Sequence, residues 1–215
     1  MDNCHPRRDR GRGHHRGSRP GCFARTDAHE QGARLSRIVI VSGSPSNPST
    51  TDKFARIVAE RFSNRGHIVE VLVLRDLPPA PLLAGDKDEP TIARAVNSLC
   101  AADAVVIATP VFKATYSGLL KVFVDLLPMG IFSDVPVLPF VIGGSKAHVL
   151  ALDYGVKPLL SILGASTIGS GRFVLSSEVK DAVAPDIDGS AGGQEAFAAI
   201  DLFERDLCLI ARGHS

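Results

Sequence analysis

The sequence has no long apolar run and none of the cysteine or histidine spacings that mark a metal site. No stretch approaches the roughly 18–20 apolar residues that cross a bilayer. Neither a Cys-x-x-Cys pair nor a His-Glu-x-x-His motif occurs. Arg7-Arg8 precedes Gly, Arg, His, Asp, Ser and Pro rather than a hydrophobic region, which excludes a twin-arginine export signal. We therefore expect a cytoplasmic protein with no membrane partner and no metal.

Charge is distributed unevenly along the chain. Residues 1–34 hold eight Arg against four acidic residues, few apolar side chains and no periodicity. Such a segment cannot recover its ordering entropy by burial, so we predict a disordered basic N-terminal extension at 1–34 and one folded domain at 35–215. The domain is mildly acidic, so we expect it to bind no nucleic acid. Two interpretations of the extension remain open: an inert segment, or an arginine-rich arm that contacts RNA or an acidic partner.

Strand-like and helix-like patterns alternate through the domain. Short β-branched or apolar runs predict strands at 38–41, 67–74, 104–109, 137–142 and 171–175. Apolar residues at spacings of three and four predict helices at 51–65, 92–99, 117–127, 149–163 and 195–211. We expect a proline-rich loop at 77–90, and at 176–193 either a mobile linker or a flap. The alternation predicts an α/β fold with a parallel sheet covered on both faces.

Ligands of such a sheet bind at the carboxyl ends of the strands, which directs attention to the loops there. Residues 42–51, after the first strand, read SGSPSNPSTT and lead into a helix. Hydroxyl groups and a helix N-terminus favour an anion. The loop has no lysine and matches neither GxxxxGK[ST] nor GxGxxG, so a monophosphate fits better than a triphosphate or a Rossmann dinucleotide. The alternative is an ordinary capped turn.

Two further loops are expected at the same edge. Residues 109–118 follow the third strand and carry Phe112, Lys113 and Tyr116, which suit a planar ligand, although they also suit a hydrophobic cap. Residues 143–146, Gly-Gly-Ser-Lys, follow the fourth strand and let backbone approach a flat ligand, or simply make a tight turn. Together the loops predict a crevice with a phosphate end, an aromatic wall and a polar floor. No Gly-x-Ser-x-Gly elbow suggests a catalytic nucleophile.

The segments ATPVFKATYSGLLK, DLLP, VLP, GGSKAH and LDYGVKPLLS occur in this order from residue 108 to residue 161. With the first loop, they resemble the flavodoxin-like NAD(P)H-dependent FMN reductases over about residues 36–175, closest to the branch that serves two-component alkanesulfonate monooxygenases. The resemblance implies a five-stranded parallel sheet in the order 2-1-3-4-5. It also implies FMN, NADPH or NADH as hydride donor, and supply of reduced flavin to a partner flavin-dependent monooxygenase.

The resemblance further implies which residues hold the flavin. The FMN phosphate is assigned to Ser44, Ser46, Ser49, Thr50 and Thr51. The side of the flavin is assigned to Pro110, Val111, Phe112 and Lys113, and the isoalloxazine ring to Gly143, Gly144 and Ser145. The cofactor carries the hydride chemistry, so no catalytic side chain is expected. Phe112 replaces the family's usual tyrosine and Ser46 an arginine, so both departures are expected to weaken flavin binding.

Tyr154 also matches this branch, where it lies in a subunit interface at a one-residue widening of the fourth helix. Independently, Pro158 removes the helical hydrogen bond to residue 154, which predicts a distortion there. We therefore expect a homo-oligomer, dimer or tetramer, with Tyr154 near the interface. Two alternative functions share the expected site: a quinone or azo reductase that retains FMN, and a flavodoxin-like electron carrier.

Overall fold

The computed structural model describes residues 35–180 and 191–213. The predicted extension at 1–34 and most of the predicted linker, residues 181–190, lie outside this part of the chain. The strands are β1 (Arg37–Ser42), β2 (Ile68–Val73), β3 (Ala104–Pro110), β4 (Val137–Gly143) and β5 (Arg172–Leu175). The α-helices are α1 (Thr50–Ser63), α2 (Pro79–Ala84), α3 (Pro90–Cys100), α4 (Gly118–Val124), α5 (Lys157–Ile162), α6 (Ser176–Lys180) and α7 (Ala191–Gly213).

The strands form one parallel sheet in the order β2-β1-β3-β4-β5, which confirms the predicted fold. The chain winds outward from β1 to β2, then returns past β1 to β3 and continues in the other direction. This reversal leaves a crevice between the carboxyl ends of β1 and β3, the usual ligand position in a doubly wound sheet.

Helices cover both faces because the central strands are apolar on both sides. Every residue of β4 is buried, and Ile38 to Val41 of β1 are at most 1% exposed. One face packs against α1, α6 and α7, with Phe54 of α1 meeting Phe140 of β4 edge to face at a centroid distance of 4.9 Å. The other face packs against α2, α3, α4 and α5. No helix in the described ranges is long and apolar enough to span a membrane.

Three predicted segments require correction. The expected loop at 77–90 contains α2, because Pro79 occupies the first helical position, where its missing N–H is not needed, and Gly85 ends the helix at φ 74°. The expected linker begins with α6, whose Val179 is buried against the sheet. The expected helix at 149–163 is split into a π-helical segment (Leu152–Val156) and α5, which confirms the distortion predicted from Pro158.

An ionic cluster fastens α7 to α1 on the face opposite α4. Arg61 of α1 and Arg65, two residues beyond its end, both bond to Asp201 of α7, at 3.1 Å and 2.5 Å, and Arg65 also pairs with Glu204. The Arg61 guanidinium lies 4.2 Å from the centroid of the Phe197 ring. Burial alone would raise the pKa of the Asp201 carboxyl, but hydrogen bonds from Arg65 and Arg61 outweigh this effect and lower the pKa.

Asp201→Asn should therefore destabilise the protein in a pH-dependent way. We expect a loss of about 0.5–1 kcal/mol in the free energy of unfolding near neutral pH, because the pair is partly exposed and screened. The pKa of Asp201 is lower in the folded protein than in the unfolded chain. The loss of unfolding free energy should therefore be complete above about pH 4, the unfolded value, and should shrink as the pH falls through the folded-state pKa. Urea unfolding across the pH range measures it.

The matched control is Asp206→Asn on the same helix, since Asp206 makes no ion pair with any residue in the described ranges. Its effect should be small. If Asp201→Asn loses the same unfolding free energy at neutral and at acidic pH, the ionised Asp201 carboxylate does not stabilise this cluster.

Candidate functional site

The loops after β1, β3 and β4 leave the sheet at one edge. Ser42, the last residue of β1, pairs with Ala108 of β3. Pro110, the last residue of β3, pairs with Ile142 of β4. These registers bring together the three loop segments singled out in the sequence, at the crevice where the winding reverses.

The loop after β1 presents a helix start together with several hydroxyl groups. The Ser49 side chain caps α1 by accepting from the Asp52 N–H at 3.1 Å, and Thr50 begins the helix half-buried. Ser44 is buried and accepts from the Ser46 N–H at 3.3 Å, while Ser46 itself is exposed. Thr51 is buried, so its backbone N–H at the helix start is the better placed group for an anion.

A buried hydroxyl pair joins this loop to the next. The Ser117 hydroxyl donates to the Gly43 carbonyl at 2.5 Å and accepts from the Leu120 N–H at 3.0 Å, thereby capping α4. Thr109 accepts from the Ser117 N–H at 3.1 Å. A Cβ on Gly43 would lie 3.1 Å from the Leu120 Cβ, so this close approach of α4 favours glycine. The loops after β1 and β3 are thus fixed relative to one another.

The segment after β3 makes a tight turn that holds an aromatic ring outward. Phe112 and Thr115 exchange two backbone hydrogen bonds, of 2.9 and 3.2 Å. Between them, Lys113 and Ala114 have positive φ angles of 50° and 67°, a conformation that residues with a Cβ adopt at some energetic cost. The Phe112 ring is 44% exposed, and Lys113 makes no ion pair with any residue that the structure describes. Pro110 and Val111 lie at the base of this turn, where the Val111 N–H donates to Ile142.

The turn after β4 supplies open backbone. A Cβ on Gly144 would meet no atom within 4 Å, whereas one on Gly143 would lie 2.7 Å from the Phe173 ring. Ser145 is exposed and accepts from the Ala147 N–H at 3.2 Å at the start of a short 3₁₀ turn, Lys146–His148. Gly144 and Ser145 can therefore approach a flat ligand, while Gly143 is committed to packing against β5.

A groove of about 520 Å³ lies beside this edge, between the π-helical segment and β5. Lys146, Lys157 and Arg172 line it, but Lys157 pairs with Asp153 at 2.6 Å and Arg172 lies 3.8 Å from Glu195. None of the sequence-predicted site residues lines this groove. Residues 35–180 and 191–213 contain no group of three His, Cys, Asp or Glu side chains that could hold a metal.

Two charged residues of the edge were missed in the sequence. Asp52, in the first turn of α1, is buried and accepts from the Ser42 hydroxyl at 2.5 Å. Arg75, just after β2, bonds both to Asp52 at 2.5 Å and to the Ser46 carbonyl at 2.5 Å. The position of Arg75 just after a strand could have indicated a place at the site. Its contact with the loop after β1 could not be predicted, because the two are far apart in sequence and meet only in the fold.

The arrangement fits FMN on structural grounds. A capped helix start with hydroxyl groups suits the phosphate, an exposed aromatic ring suits the isoalloxazine, and the space over Gly144 allows the ring to approach the backbone. These features stand at one sheet edge, at the winding reversal.

Comparison with known proteins agrees with this geometry. A family model described as NADPH-dependent FMN reductase matches residues 36–180. The chain is 38% identical over 145 residues to the FMN reductase (NADPH) of Escherichia coli K12, covering 67% of this chain and 76% of that protein. It is 30% identical over 148 residues to the NADH-dependent FMN reductase SfnE of Pseudomonas putida, covering 67% and 79%.

A solved structure is similar as well. The apo form of the NADH:FMN oxidoreductase EMOB superposes with a TM-score of 0.71 at 37% identity, covering 80% of this chain and 90% of that one. The match of the family model over residues 36–180 spans all five strands and the three loops of the carboxyl edge. This chain belongs to the NADPH-dependent FMN reductase family.

Proposed function

We propose that the protein is an NAD(P)H-dependent FMN reductase, which transfers hydride from NADPH or NADH to FMN. The observation that carries this proposal is the meeting of the three loops at the β1–β3 crevice, in a chain that belongs to the reductase family. The hydroxyl loop, the Phe112 turn and the Gly144 turn supply the three kinds of contact that a flavin mononucleotide needs.

In this proposal the protein binds and orients, while bound FMN supplies the hydride-accepting ring. Ser44, Ser49 and the N–H groups of Thr50 and Thr51 hold the phosphate at the start of α1. Ser46 extends this hydroxyl rim at its exposed side. The helix dipole stabilises the phosphate charge there.

The other two loops orient the ring. Pro110 and Val111 form the base of the wall, Phe112 its face, and the Lys113 ammonium provides a positive charge beside it. Gly144 and Ser145 form the floor, and Gly143 supports it from β4 by packing against Phe173; N–H groups of this turn can stabilise negative charge on the reduced ring. Because Phe112 and Gly144 are exposed, a nicotinamide can stack on the open side at reactive distance.

The direct test is flavin-dependent oxidation of nicotinamide by the purified chain. With excess FMN in air, we expect rapid loss of NADPH or NADH absorbance, and a slow rate when FMN is omitted. Comparing the two donors identifies the preferred one. Flavin binding without nicotinamide oxidation would instead indicate an electron carrier. Tight FMN retention with faster turnover of quinone than of added FMN would indicate a quinone reductase.

The role of Gly144 can be tested by a single methyl group. Gly144→Ala should fold normally, because its Cβ meets no protein atom within 4 Å, but it should weaken FMN about tenfold if the ring lies against this backbone. Gly118→Ala is the matched control, since its Cβ also meets nothing within 4 Å. Fluorescence titration with FMN measures both. Equal affinities for the two variants would contradict the proposed floor.

We also propose that the chain forms a homo-oligomer and supplies reduced flavin to a partner flavin-dependent monooxygenase. Tyr154 is 79% exposed on the π-helical segment, and the apolar Val149 and Leu150 nearby are exposed too. Such an exposed apolar surface favours burial against a second copy. The partner monooxygenase follows from the family resemblance, and an open flavin site suits release to it.

Assembly should depend on Tyr154. Tyr154→Asp places a charge on the proposed interface, so the dissociation constant of the oligomer should rise at least about tenfold. Sedimentation velocity measures the resulting shift toward the monomer. Leu83→Asp is the control, because Leu83 is a comparably exposed apolar residue on α2. If both variants sediment like the unaltered chain, Tyr154 is not at an interface.

A further inference from the structure

The phosphate loop contains no cation of its own. Between Ser42 and Asp52 the sequence has no lysine or arginine. The charge nearest to the proposed phosphate position along the chain is negative, since Asp52 lies in the first turn of α1. A carboxylate there occupies the end of the helix dipole that would otherwise stabilise the phosphate, and repels a second anion. An FMN phosphate site on this loop therefore requires that Asp52 be neutralised.

Arg75 meets this requirement from another part of the fold. One guanidinium nitrogen lies 2.5 Å from Asp52 Oδ2, and the other donates to the Ser46 carbonyl at 2.5 Å. The Asp52 side chain is only 8% exposed and the Arg75 side chain 22%, so solvent screens this pair little. Asp76 also faces Arg75, at 3.6 Å, but its side chain is 70% exposed and its influence is correspondingly weak.

The bonds also fix the shape of the loop. The second oxygen of Asp52 accepts from Ser42 at the end of β1, so Asp52 links β1, α1 and, through Arg75, the end of β2. Arg75 also donates to the Ser46 carbonyl, so this backbone oxygen is already engaged by a cation. A carbonyl directed at a phosphate would be repulsive, so the same contact serves both charge and geometry.

We propose that Arg75 is the positioning and charge-neutralising residue of the FMN phosphate loop, acting through Asp52 and the Ser46 carbonyl. This inference rests on the proposed function. The cation that the phosphate loop lacks is thus supplied by Arg75, which follows β2. The proposal also predicts that the protein's preference for FMN over riboflavin, which has no phosphate, is set by the net charge of the Arg75–Asp52 pair.

The test is the ratio of FMN affinity to riboflavin affinity, measured by flavin fluorescence titration of the full chain. Arg75→Gln leaves Asp52 unbalanced, so FMN affinity should fall about tenfold while riboflavin affinity changes little. Arg75→Lys keeps the charge and should retain most of the ratio. Asp52→Asn removes the negative charge but keeps an oxygen acceptor, so the ratio should rise by about threefold or more.

The opposite signs of the two changes separate this role from a merely structural one, which would weaken both ligands in both variants. Arg37→Gln is the matched control: Arg37, at the amino end of β1, lies 3.8 Å from Glu70 of β2, and its removal should leave the ratio unchanged. Should Arg75→Gln not fold, Asp52→Asn and Arg75→Lys decide the question.

An unchanged ratio in Arg75→Gln, or a ratio that falls or stays constant in Asp52→Asn, overturns the inference. The unaltered chain is titrated first and tests the proposed function separately. If it binds neither flavin, the proposed function and this inference both fail. If it binds FMN and only the variants deviate from expectation, the inference alone fails.

Discussion

The register between β1 and β3 is the constraint on which the site depends. It continues past the strands, because the Gly43 N–H donates to the Ala108 carbonyl at 2.8 Å and the Gly43 carbonyl accepts from Ser117. The loop that leads to α1 and the start of α4 are therefore held by the same residue. A shift of β1 against β3 would separate the start of α1 from the Phe112 turn, and the crevice would be lost even if each loop kept its own conformation.

The two faces of the sheet contribute differently to this geometry. On one side α1 begins at the loop proposed to hold the phosphate, and the far end of this helix is joined to α7 by Arg61 and Arg65. On the other side the π-helical segment packs against the Phe112 turn, since a Cβ on Gly155 would lie 2.8 Å from the Thr115 hydroxyl. Pro158 thus affects the site indirectly, because the distortion it causes brings Gly155 against the turn that carries the aromatic wall.

The sequence predicts the sheet well for a physical reason. A strand buried on both faces needs a local run of apolar residues, and such runs locate β1, β3 and β4 to within a residue or so. The errors arise where one residue type has two roles. Prolines at 78–81 suggest a loop, yet Pro79 begins α2, because a helix tolerates proline in its first turn.

The residues of the candidate site likewise include some that the sequence could locate and some that it could not. Loops that directly follow strands could be assigned from the sequence, because the topology of a parallel sheet places them at one edge. The pairing of Arg75 with Asp52 could not be, since it joins residues on separate elements and depends on how β2 and α1 are placed. The burial of Thr51 did have a signal in the sequence, because Thr51 lies three residues before Phe54 and so shares the inward face of α1.

The turn at Phe112 determines how the aromatic ring is presented at the sheet edge and how far it is exposed. Lys113 and Ala114 adopt positive φ angles that glycine would adopt at less cost, and the paired hydrogen bonds between Phe112 and Thr115 hold them there. The turn keeps the aromatic ring projecting from the sheet edge instead of letting it collapse onto the core. In the proposed function, a planar ligand stacks on this ring with one face. Its second face therefore remains open to a reaction partner.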